Sequence, residues 1–366
     1  VKVLYDYAAF TMQARGGVSR VMYELIKHGV NDSRVDCRVF CGFHKNLYLH
    51  QAEENIRNAC TGKYVPSSIA KQRWMNPVNK LGFRGYSHNF NPDICHYTFF
   101  ENLPVPQRSK VVVTVHDLIT DLFPGILGPK DEQSVKRRKV LDRADGIICV
   151  SENTRLDLLR HYDVDSGKVI VVHNGNDLGQ QEVTTFVHVA PYVLYVGGRK
   201  TKYKNFDFVM RMLSSFSELE ALHLICFGGG AFNISEEKRI EELGLKGRVV
   251  QMGGDDSVLA GCYKSAFAFV YPSTYEGFGI PPVEAMSLGC PVVVSNAPPM
   301  PEVVGKAGLY FDPAEEAHCA RQISTLFNQE TRDKLIQEGY KQSELYSWNK
   351  MGSEVYRFYE RIIKDL

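Results

Sequence analysis

Residues 272–285 read Pro272-Ser273-Thr274-Tyr275-Glu276-Gly277-Phe278-Gly279-Ile280-Pro281-Pro282-Val283-Glu284-Ala285. The apolar run Phe267–Tyr271 precedes them and Gly289 follows shortly after. The run is a strand by its β-formers, and the prolines set the first turn of a helix. Gly289 is a plausible helix stop. The segment therefore predicts strand, glycine-rich loop, then helix. Glu276 sits in the loop and Glu284 early in the helix. Such a loop exposes backbone N–H groups between two carboxylates. It suits phosphate on the helix start and hydroxyls on the acids.

The same alternation runs outward in both directions. Strands are expected at 1–5, 35–40, 94–97, 111–115, 146–150 and 169–172. A second series is expected at 192–196, 222–227, 248–251, 267–271 and 291–294. Between them lie amphipathic stretches. Val18, Val21, Met22, Leu25 and Ile26 share one helical face, as do Val209, Met212, Leu213 and Phe216. Apolar strands separated by helices predict parallel sheets covered on both faces, an α/β fold. The pattern starts twice, and the poorly patterned stretch near 175–190 reads as a linker. The expected domains are 1–175, joined by a last helix at 349–366, and 176–348. Open α/β sheets bind ligands beyond the carboxyl ends of their strands, so strand-end residues come first.

The chain has 366 residues, with 44% apolar and 23% charged, which excludes disorder. Its 43 basic and 42 acidic residues leave +1, so no global field draws it to nucleic acid. Apolar runs reach about five residues where a membrane span needs roughly 20. Val1–Tyr5 already reads as a strand. The expectation is a cytoplasmic protein without a signal peptide. Its nine cysteines are scattered with no CxxC pair and read as buried thiols.

Four motifs point to chemistry. Gly16-Gly17, between the first strand and the first helix, is either a phosphate loop or a plain turn. His116-Asp117 follows Val111–Val115 and sits at a strand's carboxyl end. Gly197-Gly198-Arg199 through Lys204 opens the second series, and its two cations could clamp a diphosphate without metal. The fourth is the Glu276/Glu284 segment. The stretch 61–92 breaks the alternation. It holds Lys63, Lys71, Arg73, Lys80 and Arg84, no acid, and interleaved aromatics. It reads as a solvated irregular insert or as a surface for anionic lipid. The run Lys136-Arg137-Arg138-Lys139 reads as a solvated helix face. Asp163-Val164-Asp165 mimics a metal-binding DxD but falls in a polar loop and reads as accidental.

In order and spacing, Gly16-Gly17, His116, Val150–Thr154, Asn174-Gly175, Val196–Arg199 with Lys204, the Glu276/Glu284 pair and Pro301–Val304 resemble the family 4 retaining glycosyltransferases. The resemblance covers nearly the whole chain. It implies the GT-B fold: two facing Rossmann-like domains, with a C-terminal helix crossing back to the first. It implies transfer of a hexose from a nucleoside diphosphate sugar, UDP-sugar favoured and GDP-sugar possible, with no metal and no further cofactor. Glu276 would bind donor-sugar hydroxyls and Glu284 the ribose. Arg199 and Lys204 would hold the diphosphate, and Gly16 and Gly17 would approach it from the first domain. The loop Gly277, Phe278, Gly279 and Ile280 would contact sugar and phosphate through N–H groups. His116, with Asp117, would lie near the reacting carbon. Asn205 stands where many relatives have glycine. The expected acceptor is a surface-polysaccharide or polyprenyl-diphosphate-linked glycan at the membrane's inner face, with peripheral contact through 61–92. A soluble acceptor, or a sugar phosphorylase on the same fold, is the alternative. No GxGxxG opens either half, which argues against a dehydrogenase.

Overall fold

A computed structural model describes residues 1–123 and 130–364. The chain divides into two compact units, Val1–Gly175 with Trp348–Leu366, and Asn176–Ser347. The first holds β1 (Lys2–Tyr5), β2 (Asp36–His44), β3 (Cys60–Tyr64), β4 (Ile94–Tyr97), β5 (Lys110–Val115), β6 (Gly146–Cys149) and β7 (Val169–Val171). They form one parallel sheet in the order β3-β2-β1-β4-β5-β6-β7. The second holds β8 (Tyr192–Val196), β9 (His223–Phe227), β10 (Val249–Met252), β11 (Ala268–Tyr271), β12 (Val292–Ser295) and β13 (Gly308–Phe311). Their parallel order is β10-β9-β8-β11-β12-β13. Every residue of β4, β6, β11 and β12 is buried, as expected of strands covered by helices on both faces.

Each strand order reverses once. In the first unit the chain winds from β1 to β3 one way and from β4 to β7 the other, so β1 and β4 flank the switch point. In the second unit β8 and β11 flank it. Loops leaving neighbouring strands there diverge and open a crevice at the carboxyl edge.

Two sequence expectations need correction. The segment 61–92 is not irregular. It completes β3 and then forms a helix, Gln72–Phe90. Met75, Asn79, Phe83 and Ser87 recur every four residues and are buried. Pro77, Gly82 and Gly85 dilute that signal. Asn79 accepts from the Phe43 N–H at 2.8 Å and donates to the Phe43 carbonyl at 3.0 Å, at an irregularity in the pairing of β2 with β3. Nor is Arg137 on a solvated face. It is buried against Asp121, donates to Thr120 Oγ1 at 2.9 Å and lies over the Phe100 ring. Its neighbours Lys136, Arg138 and Lys139 are exposed.

The last helix, Trp348–Lys364, packs on the first unit through Met351, Val355, Tyr356, Phe358, Tyr359 and Ile362. It crosses the helix Gly17–Val30 where both chains are small: a Cβ on Gly29 would collide with Tyr356, and one on Gly352 with His28. Beneath it runs a buried polar chain. The Tyr5 hydroxyl meets those of Tyr356 at 3.0 Å and Tyr359 at 3.2 Å. Tyr359 also bonds His96 Nδ1, whose Nε2 meets Thr114 Oγ1 at 2.8 Å. Burial pushes His96 down to about 3, so it is neutral.

Gly29→Val therefore overpacks the crossing and costs about 1–3 kcal/mol in urea unfolding. Gly85→Ala, on an exposed helix turn with open space at its Cβ, gains about 0.5–1 kcal/mol in the same assay.

Candidate active site

The second unit's switch point carries the two motifs of its half. After β8 the chain turns through Gly197, at φ 138°, and a short 3₁₀ turn, Lys202–Lys204. Asn205 follows with φ 53° and ψ 39°. Asparagine tolerates that left-handed geometry better than most side chains. Its Nδ2 donates to the carbonyls of Pro272 and Pro313 at 3.3 and 3.1 Å. The Thr274 N–H donates to the Tyr203 carbonyl at 2.8 Å. The loops after β8 and β11 are thus sewn together.

Across that seam Lys204 Nζ meets Glu276 Oε1 at 2.6 Å and the Tyr271 hydroxyl at 3.3 Å. Glu276 is buried, while Lys204 keeps part of its side chain in solvent. The helix Ile280–Ser287 begins beside them. Its N-cap is Gly279 at φ 91°, where an added Cβ would strike Met300 Cε. No side chain caps this helix, and Pro281 and Pro282 contribute no N–H, so its start presents backbone groups alone. Glu284 rises from the same helix and accepts from the Tyr263 hydroxyl at 3.0 Å.

Arg199 is engaged differently from the diphosphate clamp its spacing suggests. Its side chain is 1% exposed. Nε bonds Glu236 Oε1 at 2.8 Å. Nη1 donates to the Gly228 carbonyl at 2.7 Å, and Nη2 to those of Gly230 and Ala231 at 2.8 and 3.3 Å. Gly228, Gly229 and Gly230 all have positive φ, a backbone path that turns carbonyls onto the guanidinium. All three nitrogens are occupied, and Glu236 is held below the usual carboxylate range by Arg199 and the Asn233 N–H against its desolvation. Neither Glu236 nor the triple glycine was singled out in the sequence. The run directly after strand 222–227 was the available signal.

In the first unit, Gly17 opens the helix Gly17–Val30, and open space lies where its Cβ would be. Gly16 is extended, and Gln13 lies against it and takes the Ser19 N–H at 3.2 Å. His116 follows β5 and is buried. Its Nε2 has no partner among the described residues. Burial brings the ring down to about 4, against an opposing pull from the Thr98 backbone, so it is neutral at pH 7. Asp117 Oδ1 accepts from the Ile119 N–H at 3.1 Å and shapes the following turn. Asp165 of the DxD takes the Gly167 N–H at 2.9 Å, a turn-capping role. Among the described residues no group of three acidic, His or Cys side chains could hold a metal ion, and no helix is long and apolar enough to cross a membrane.

The family comparisons agree with this layout. Residues 15–180 match the model "Glycosyltransferase Family 4", and residues 180–342 match "Glycosyl transferases group 1". The chain is 29% identical over 223 residues to the O-antigen chain mannosyltransferase RfbU of Salmonella typhimurium, covering 61% of this chain and 62% of that protein, less than two thirds of its length. It is 28% identical over 278 residues to the O-antigen chain mannosyltransferase B of Escherichia coli, covering 71% and 72%. Among solved structures, sucrose-phosphate synthase of Thermosynechococcus elongatus superposes with a TM-score of 0.79 at 17% identity over 100% of both chains. Anabaena HepE, in complex with UDP and glucose, gives 0.73 at 16%, over 97% and 98%. The two models together span residues 15–342, and the chain is a glycosyltransferase of GT-B fold, similar to family 4 in its first unit and to group 1 in its second.

Proposed function

We propose that the chain transfers a hexose from a nucleoside diphosphate sugar to a hydroxyl of a growing surface glycan, with retention and without metal. The observation that carries this is the Lys204–Glu276 pair at the switch point, beside an uncapped helix start. As the glycosidic bond breaks, negative charge gathers on the leaving diphosphate. The ammonium of Lys204 and the N–H groups beginning the helix at Ile280 stabilise it. Glu276, fixed by Lys204, binds donor hydroxyls, and Glu284 binds the ribose. Gly17 admits the phosphates to the first unit's helix start. His116 offers Nε2 to the donor sugar. Arg199 supports the site at one remove by shaping the 228–231 loop, so direct contact with the diphosphate falls to Lys204. Retention follows from same-face attack, with the leaving phosphate accepting the acceptor's proton. The mannosyltransferase names of the two relatives favour mannose.

A lipid-linked acceptor accords with the helix Gln72–Phe90. Trp74, Val78 and Leu81 lie on one exposed face at i, i+4 and i+7, with Ile69 beside them. Lys71, Arg73, Lys80 and Arg84 are also exposed. Apolar residues flanked by cations suit the headgroup region of an anionic bilayer.

Four experiments test this reading. In a thermal-shift panel the donor, GDP-mannose ahead of UDP-glucose, stabilises the chain by about 2.7 kcal/mol at a hundredfold excess over its Kd. Glu276→Ala abolishes transfer; full transfer by that variant contradicts the site. Lys204→Met weakens nucleoside diphosphate binding and strands the buried Glu276 without its cation, and Arg199→Met leaves Glu236 and three carbonyls unpaired, so each costs about 3 kcal/mol in unfolding. Sedimentation with phosphatidylglycerol vesicles captures the wild type. Neutralising Lys71, Arg73, Lys80 and Arg84 together lowers that partitioning at least ~10-fold.

A further inference from the structure

The second unit holds a cavity lined by none of the residues assigned to the reaction. Its volume is about 310 Å³, within the roughly 300–1,000 Å³ of small-molecule sites. One part of its wall is the turn at 176–180, and another is 340–347, where the helix Gln329–Ser343 ends and the chain runs on. Ser287, the last residue of the helix that carries Glu284, completes the lining. The chain enters this unit at Asn176 and leaves it at Ser347, so both crossings begin at the cavity. They are joined there: the Asn176 N–H donates to the Tyr346 carbonyl at 3.3 Å.

The lining combines hydrogen-bonding side chains with aromatic rings. Asn176 and Gln180 supply amides, Glu344 a carboxylate, Ser343 a hydroxyl, and Tyr340 and Tyr346 rings with hydroxyls. Among the described residues no Lys, Arg or His lines it. An amide both donates and accepts and a carboxylate accepts, which suits a ligand that carries many hydroxyls. A phosphate placed there would be desolvated without a cation. The rings offer apolar area to the C–H faces of a sugar. Asn176, Ser343 and Tyr346 are buried, whereas Gln180, Tyr340 and Glu344 are exposed and form the mouth. The Tyr346 ring is held in place, since its hydroxyl donates to the Glu302 carbonyl at 3.2 Å.

Two sets of contacts lead from the cavity to the donor segment. The Tyr346 ring lies edge-on to Phe278 with centroids 5.4 Å apart, and Phe278 belongs to the glycine-rich loop after Glu276. Asn176 Nδ2 donates to Ser287 Oγ at 2.8 Å, and that hydroxyl donates to the Glu284 carbonyl at 2.8 Å. A ligand that orders Tyr346 and Asn176 therefore also orders the loop and the helix that carry Glu276 and Glu284.

We propose that this cavity is a second sugar site: it takes one neutral pyranose ring, and filling it tightens the donor site. The coupling rests on the reading that Glu276 and Glu284 hold the donor; the sugar site does not. The ring is either a free hexose or one unit of a glycan, and the test separates the two.

The test follows the side-chain amide signals of Asn176 and Gln180 by ¹⁵N NMR of the full chain. Methyl α-D-mannoside and methyl α-D-glucoside, carrying the hexoses of the two donors tried above, are titrated in. At least one moves both amides, with a Kd of about 1 mM as its size allows. Mannose 6-phosphate binds at least ~10-fold more weakly. A linear tetrasaccharide that binds more tightly than its single ring identifies a glycan unit as the occupant, and equal affinity identifies the free sugar. Gln180→Trp and Glu344→Trp, both at exposed positions, fill the cavity and abolish the response of Asn176, while transfer without added hexoside keeps the wild-type rate. Glu276→Ala keeps the response, which separates this site from the donor's. With the cavity saturated, the wild type binds its nucleoside diphosphate sugar about 5-fold or more tightly, the donor tightens hexoside binding by the same factor, and neither Trp variant shows the effect. No response to either hexoside at about 10 mM, a response that survives both Trp variants, or tighter binding of the phosphorylated sugar overturns the sugar site. A response with no change in donor affinity overturns the coupling. If Glu276→Ala keeps full transfer while the amides still respond, the sugar site stands and the donor reading fails.

Discussion

Each sheet reverses its winding once, and at each reversal a carboxylate spans the gap. In the second unit Glu276, from the loop after β11, bonds Lys204, from the loop after β8. In the first, Asp6 after β1 bonds Thr98 after β4. Diverging loops leave backbone groups without a partner strand, and a short ionic or charge-assisted bond fixes the distance across them. The functional side chains inherit their geometry from these two ties. Lys204 is aimed by its pair, and the ends of β1 and β4 are held together by Asp6 and Thr98.

The two ties differ in what they leave available. Lys204 keeps some solvent contact and can exchange its carboxylate partner for a phosphate. Arg199 cannot do so without giving up Glu236 and the carbonyls of Gly228, Gly230 and Ala231. Two cations five positions apart therefore have separate employments. In the proposed reaction one meets the ligand, and the other holds the loop beside it. A guanidinium suits the second task because its planar fork satisfies several carbonyls at once, whereas an ammonium is a compact mobile charge.

Much of the fold was legible because buried parallel strands are continuous apolar runs. The strands missed were β3 and β13, both at sheet edges. β3 is Cys60-Thr61-Gly62-Lys63-Tyr64, largely exposed and interrupted by glycine, and β13 opens with Gly308. Edge strands need not be apolar, so periodicity does not find them. The helix at 72–90 hid behind Pro77, Gly82 and Gly85, although its buried residues recur every four positions. At the site, the loop and helix around Glu276 were readable because glycines and prolines have fixed backbone preferences. The engagement of Arg199 was not. It depends on three successive glycines twenty-nine to thirty-one residues downstream turning their backbone toward it, a contact no spacing rule encodes. Asp6 escaped notice because a lone acid after a strand resembles any turn residue.

The central claim is that Lys204 and the helix start at Ile280 receive the diphosphate while Glu276 orients the attached sugar. A crystal structure with bound GDP-mannose tests it most directly. The account predicts phosphate oxygens within hydrogen-bond distance of Lys204 Nζ and the N–H groups at Gly279–Ile280, with the Arg199 guanidinium still seated on Glu236 and the 228–231 carbonyls. A diphosphate lying elsewhere, or one grasped by an Arg199 that has swung out of its loop while Lys204 stays bound to Glu276 alone, would contradict it.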